Sequence, residues 1–454
     1  MLALADSLTQ DLAAVQFEYR MMEQERERLE AIDRNWKYYH GFHSAMLPTR
    51  AGQVNDNVTI NLARLIVDKS ASFLFGKEVT FELDHTDTTP EEEWLEAVWR
   101  RNRKMTFLMR LAVTGGVTGH VFIKIVPDTQ QGRPPRLVSI EPEYVTVSHA
   151  GEDIEDVWRY RIQWIERDRE NRAMSRRQDI ERDPGKARWQ VINRIAYGSR
   201  RWEPDPEHPD TVWEYPWPPM IDCQNLVNPG AYWGLSDLED LRQQDAINYI
   251  ASKVQRILRY HAHPKTIGKA FDPDQVKVGE DEMLVLPGEN SDLFNLEMQS
   301  DLGSSLAFMD KLIQWFLATA RTPRLDPAVV SVGALSGFAL KVLYGDALEK
   351  AEVKRRTYGD MLVELNRRLC DLGGFGTEHY TEVYWQSPLP EDEREEQTRD
   401  QFELDYGLAS KETVQARRNI DHEVEEQRMS EQEAAEGNVG AMLLRQFETG
   451  RAAE

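Results

Sequence analysis

The stretch from 302 to 321 constrains this chain more than any other. Leu306, Phe308, Met309, Leu312, Ile313, Trp315, Phe316 and Leu317 fall all round a helical wheel and not along one stripe. A helix of that kind needs cover on most sides. Its richest apolar run, 312 to 320, contains Gln314 and Thr319 and falls short of the ~20 apolar residues that cross a bilayer. Without a membrane, copies of the same chain are the natural cover. Leu306, Met309, Leu312, Trp315 and Phe316 are therefore the candidate interface residues.

Two further long helices are predicted around it. Leu235, Leu238, Leu241, Ile250, Val254, Ile257 and Leu258 recur at helical spacing before Pro264, with Ser236 as N-cap. About 25 residues would span ~40 Å, long for a globular helix. The third, 338 to 369, carries Leu340, Leu343, Tyr344, Ala347, Ala351, Tyr358, Met361, Leu362, Leu365 and Leu369, and Gly373 with Gly374 stops it. Three such helices packing mainly against their copies predict a structural ring subunit and not an enzyme. Residues 265 to 300 look compact and β-rich, with strands at 265–268 and 283–286. Residues 322 to 337 form a loop with Pro323, Pro327, Gly333 and Gly337, and with Val329, Val330, Ser331, Val332 and Leu335 near its tip. An apolar loop beside an interface helix invites a functional role.

Upstream, 7 to 39 reads as a charged helix, followed by the aromatics Trp36, Tyr38, Tyr39 and Phe42. A second helix covers 57 to 75, with Leu62, Leu65, Ile66, Lys69 and Phe73 on one stripe and Gly76 as C-cap. Thr89, Pro90 and the acids after them mark a helix start running to 102. Another helix runs from 105 to about 113. Strands are predicted at 79–83, 121–126, 137–140, 144–147, 157–165 and 189–197, mostly antiparallel. The charged stretch 166–186 reads as a mobile hairpin tip or an insertion, and 204–219, rich in Pro and Trp, as an irregular arm. A strand at 380–385 and an acidic helical end complete an α+β chain that is mainly helical.

Chemical motifs are sparse. Gly115, Gly116 and Gly119 precede a strand without the Gly-Lys-Ser/Thr of a phosphate loop, so they read as a glycine turn. His261 with His263, and His40 with His43, lack a carboxylate at ligand spacing. Asp272 and Asp274 flank Pro273 and read as a turn. Asn57 fits a glycosylation pattern, but the first ten residues lack a basic region and include Asp6, as no secretory signal does. Two cysteines, Cys223 and Cys370, exclude a disulfide framework. These features predict an intracellular origin, no cofactor and no metal. The net charge of −23 argues against tight static binding to DNA phosphates but permits a sliding contact.

Four segments in order resemble the portal proteins of tailed bacteriophages over most of the chain. They are Asn57 to Val79, a helix followed by a phenylalanine-rich turn and Gly-Lys; Thr118 to Ile125, a glycine-aromatic strand; Leu335 to Lys341, opening a long helix; and Val383 to Pro390, followed by an acidic helix and the segment from Gly407 to Thr413. The resemblance implies a ring, twelve copies in the virion and eleven to thirteen when isolated. Double-stranded DNA would pass through it during packaging and ejection. It implies a wing (1–230), a first stem helix (231–262), a clip (263–301), a second stem helix (302–321) and a tunnel loop (322–337). A long wing helix with its returning strand (338–390) and a helical crown with a tail (391–454) complete the portal fold. It also implies a terminase large subunit, a head-completion or adaptor protein, and capsid and scaffold proteins as partners. Lys253, Arg256 and Lys341 are then candidate DNA-guiding bases. The alternatives are a metal-dependent phage nuclease acting through Asp272 or Asp274, and a head adaptor or scaffold that is not a portal.

Overall fold

The computed structural model describes residues 22–49, 55–83, 89–128, 130, 132–198, 201–262, 265–269, 290, 292–296, 302–324, 337–389, 393–408, 410 and 413–414. The tunnel-loop candidates Val329, Val330, Ser331, Val332 and Leu335, together with Asp272, Asp274, His263 and most of the crown, lie outside the described residues. The chain divides into two compact units, one of 1–330 with 342–388 and one of 331–341 with 389–454. Helices and sheets are both present, as an α+β chain requires.

The first unit opens with a helix over 22–39, here α1. α2 (Leu62–Phe75) follows, with Asn61 as N-cap accepting from the Arg64 amide. Leu62, Ile66 and Phe73 of its predicted stripe are buried, whereas Leu65 and Lys69 face outward. β1 (Val79–Leu83) leads to α3 (Pro90–Arg101). Thr89 caps α3 in a full capping box with Glu92, as the Thr-Pro-acid pattern predicts.

α4 (Lys104–Thr118) runs five residues beyond the predicted end and takes Gly115 and Gly116 into its last turn. The glycine cluster is therefore a helix end and not a simple turn; only Gly119, at φ 87°, turns the chain. The physical reason is crowding. A Cβ on Gly115 would stand 2.1 Å from the Tyr358 hydroxyl, and one on Gly116 would stand 2.9 Å from an Asp237 carboxylate oxygen. The glycines let two neighbours approach the helix backbone.

β2 (His120–Val126) is the middle strand of a three-stranded sheet between β3 (Arg136–Ile140) and β10 (Met220–Gln224). A second antiparallel sheet holds β4 (Val145–His149), β5 (Val157–Arg167), β6 (Ala173–Arg182), β7 (Trp189–Ala196), β8 (Glu203–Pro204) and β9 (Thr211–Trp213). The stretch 166–186 is not a mobile tip. Residues 173–182 form β6, paired with β5 on one side and β7 on the other. Its charges concealed it: Arg176 is buried against Glu166, Asp205 and Glu207, and Asp179 is buried against Arg161 and Arg177. A strand whose buried charges are paired shows no apolar alternation.

Downstream come α5 (Arg242–Ala262), a ribbon of β11 (Lys265–Lys269) and β12 (Asp292–Leu296), and α6 (Leu302–Thr319). α5 begins at Arg242, five residues after the start that Ser236 as N-cap predicts. Residues 231–241 stay irregular: Ser236 Oγ lies 2.8 Å from both the Gly116 and Val117 carbonyls and accepts from the Leu238 amide at 3.0 Å, which fastens this stretch to the end of α4 without opening a helix. The predicted third helix is two pieces, α7 (Gly337–Leu343) and α8 (Gly345–Leu372), broken at Tyr344. α7 crosses the division between the units. β13 (Thr381–Trp385) returns to pair with β1, so the late strand joins the early one.

α8 corrects the expectation that all three helices pack mainly on copies. Tyr358, Met361, Leu362, Leu365 and Leu369 sit in this chain's own core with Trp99, Leu108, Leu111 and Ile123. Burying five such side chains contributes roughly 1.5–3 kcal/mol each, so this helix organises the unit from within. In the second unit, Phe402 of α9 (Glu393–Asp405) packs its ring at a tilt against that of Tyr406, just past the helix end, and both are exposed.

Candidate assembly surface and the joint behind it

α5 is fixed by a polar stripe that apolar periodicity does not reveal. Gln244, Asn248 and Ser252 are spaced by four and buried. Gln244 Oε1 accepts from the Leu62 amide at 3.0 Å and the Ala63 amide at 3.3 Å, and its Nε2 donates to the Ile60 carbonyl at 2.7 Å. Asn248 Oδ1 accepts from the Ile60 amide at 3.0 Å, and Ser252 Oγ from the Val58 amide at 2.9 Å. One helix face thus does for residues 58–63 what a partner strand would do, and it satisfies the first orphan donors of α2. A turn further on, Arg256 and Arg259 both reach Asp56 Oδ2, at 3.1 and 2.8 Å. Tyr38 OH donates to Asp245 at 2.6 Å; burial and that carboxylate push the phenol up to about 12.

α6 packs along α5 and is held by its C-terminal turns. Phe316 and Leu317 are buried with Leu62, Ile66, Val67 and Leu238, and Met309, Leu312 and Ile313 rest half-buried on the same cluster. The other face is bare. Phe308 is 52% exposed and Trp315 54% there, and Leu306, half a turn round the helix and nearer its N-terminal end, is 45% exposed. The five interface candidates therefore divide. Phe316 belongs to the chain's own core, Met309 and Leu312 are half taken up by it, and Leu306 and Trp315 are available on opposite sides of the helix, with Phe308 beside Trp315. On α5, Tyr249 and Leu258 are also exposed.

The candidate bases divide as well. Lys253 is exposed, its ammonium 5.3 Å from the Tyr249 ring centroid. Lys341 is exposed on α7. Arg256 is half-buried and committed to Asp56.

Behind the helix pair lies a joint that no sequence motif announces. Asp237, in the irregular stretch before α5, has its side chain 1% exposed. Its Oδ2 is 2.7 Å from Lys354 Nζ and its Oδ1 3.0 Å from Lys350 Nζ, both on α8. Lys354 also donates to Ser70 Oγ at 2.7 Å, and Lys350 to the Ala320 carbonyl at 3.1 Å. The Asp237 amide donates to the Gly116 carbonyl at 2.8 Å. Asp237 and its two lysines therefore tie α2, α4, α8 and the end of α6 together. Burial alone would raise its pKa, but the two ammonium groups outweigh burial and lower it to about 2. Burial lowers Lys354 to about 8 against the opposing pull of Asp237. The signal in the sequence was a pair of lysines four apart in an apolar stripe, where charges are found only when paired.

A second, half-buried carboxylate clamps the two sheets. Asp222 on β10 accepts from Tyr160 OH at 2.8 Å and Tyr232 OH at 2.6 Å, and lies 2.9 Å from His120 Nε2. Burial opposes its ionisation, but the hydrogen bonds from His120, Tyr232 and Tyr160 hold it below the ordinary carboxylate range. Among the described residues no group of three or more His, Cys, Asp or Glu is placed to hold a metal ion. No described helix is long and apolar enough to cross a membrane.

No curated protein matches the chain. Among solved structures it is similar to a chain described as "Virion of native gene transfer agent (GTA) particle", at 14% identity, over 79% of this chain and 88% of that one, with a TM-score of 0.38. A family model described as "Phage portal protein, SPP1 Gp6-like" matches residues 20–172 and 224–438. The interval it leaves, 173–223, holds β6 to β9 and most of β10, so the long meander elaborates the part that matches. With most of its length matched, this chain belongs to the SPP1 Gp6-like family of phage portal proteins.

Proposed function

We propose that this chain is the subunit of a portal ring at one vertex of a capsid, and that double-stranded DNA passes through the ring during packaging and ejection. The observation that carries the proposal is the bare face of α6. Phe308 and Trp315, seven residues apart, project from a helix whose opposite side is fastened to its own core, and Leu306 is exposed nearer its N-terminal end. An apolar row like that costs free energy in water, and a heterologous ring contact hides it on every copy at once.

In this reading 1–230 is the wing, and 338–390 adds its long helix and returning strand. Stem helices over 231–262 and 302–321 flank a clip at 263–301 that faces a terminase large subunit and later a head-completion protein. The loop 322–337 lines the channel, and 391–454 form the crown and tail. Capsid and scaffold proteins surround the wing. A net charge of −23 keeps the wall from gripping phosphates, since like charges repel at short range despite salt. Lys253 and Lys341 are the bases free to guide DNA, whereas Arg256 serves the Asp56 clamp.

Negative-stain microscopy of the purified protein, viewed down its symmetry axis, tests the ring. Twelve copies are expected, and eleven or thirteen agree equally well; a stable monomer overturns the proposal. Deleting 322–337 tests the channel. The ring should survive and packaging should stop, while normal packaging would favour an adaptor.

A further inference from the structure

α6 ends in a Schellman motif built on an unusual residue. The Thr322 amide donates to the Leu317 carbonyl at 2.8 Å and the Arg321 amide to the Ala318 carbonyl at 3.0 Å. The residue in the left-handed position is Arg321, at φ 54°, where glycine is the ordinary choice. Lys350 Nζ takes the Ala320 carbonyl, a cation on the negative end of the helix, with Thr322 Oγ1 more distant at 3.4 Å. Beside this turn lies a cavity of about 390 Å³, lined by Phe316, Thr319, Arg321, Asp237, Lys350 and Val353.

We propose that Lys350 is the latch of a hinge at Arg321, and that residues 320–322 loosen from α8 when the latch lets go of the Ala320 carbonyl, while the helical turn before them stays packed. Three features act together. The strained Arg321 backbone favours release. The cavity adjoins Thr319, Ala320 and Arg321, so residues 320–322 have room to shift while Phe316 and Leu317 stay in the core. The ammonium keeps its bond to Asp237 after release, so opening strands no buried charge. The hinge does not depend on which surface α6 faces, and so stands or falls separately from the ring.

Hydrogen–deuterium exchange of the full-length protein tests it. In Lys350→Met the amides of 320–322 should exchange at least ten-fold faster, while those of 358–369 in α8 are unchanged and Lys350→Arg stays near wild type. Unchanged exchange at 320–322, or equal acceleration in α8, overturns the latch. Should Lys350→Met fail to fold, the wild-type chain decides. Amides 320–322 should open without dependence on dilute urea, while α8 follows global unfolding; identical urea dependence overturns the hinge.

Discussion

Lys354 Nζ stands 2.7 Å from Asp237 Oδ2, deep in the unit, while Lys350 occupies the other oxygen of the same carboxylate. Two cations on one anion make the site asymmetric. Removing Asp237 leaves two buried ammonium groups unpaired; removing one lysine leaves a balanced pair. Asp237→Asn should therefore destabilise by about 3–5 kcal/mol, and Lys354→Met by clearly less. Urea denaturation at fixed protein concentration measures both, and equal losses would refute the asymmetry.

The same site predicts a pH dependence with a definite sign. Lys354 has its pKa lowered from 10.5 to about 8 in the fold, so between those values the unfolded chain binds more protons. Stability should rise with pH across that window, by up to about 3 kcal/mol for a shift of this size, and Lys354→Met should abolish the rise. Asp237 acts at the other end. Its folded value, about 2, lies below 3.8, so its contribution is present above pH 4 and is lost as pH falls toward 2. Denaturation midpoints against pH check both limbs.

Gly116→Ala tests the close approach of α4 to this joint. Its Cβ would meet Asp237 Oδ2 at 2.9 Å and Val67 Cγ1 at 3.0 Å, and both partners are buried and held. A loss of about 1–3 kcal/mol is expected from overpacking, although alanine is the better helix former. A gain in melting temperature would show that the joint has slack.

Asn248→Leu tests the polar stripe of α5. The substitution conserves bulk but leaves the buried Ile60 amide without its acceptor, at a cost of about 1–3 kcal/mol. Thermal unfolding of the variant gives the answer, and a neutral result would mean that water replaces the side chain.

Phe308→Ser with Trp315→Ser tests the bare face. Both side chains are more than half exposed, so fold stability should stay within about 0.5 kcal/mol. Ring formation, followed by native mass spectrometry, should be lost or strongly weakened. Intact rings would place the interface elsewhere.

Local signals in the sequence determined a good deal. The capping box at Thr89, the strands flanking the meander, the helix at 302–321 and the all-round apolar character of that helix follow from side-chain chemistry and spacing within a few residues. So does the portal resemblance, carried by four segments in order and matched by the family model over most of the chain. Tertiary structure alone decided which apolar residues meet their own chain. Phe316 and Trp315 are adjacent and equally apolar, yet one is core and the other bare, because α6 rests on α2 along one side only. It also decided the buried charges. Arg176, Asp237 and Lys354 sit inside because partners distant in sequence neutralise them, so β6 lacked an apolar pattern and the joint lacked a motif. Periodicity reports what faces water or oil; it does not report which distant charge will be the partner.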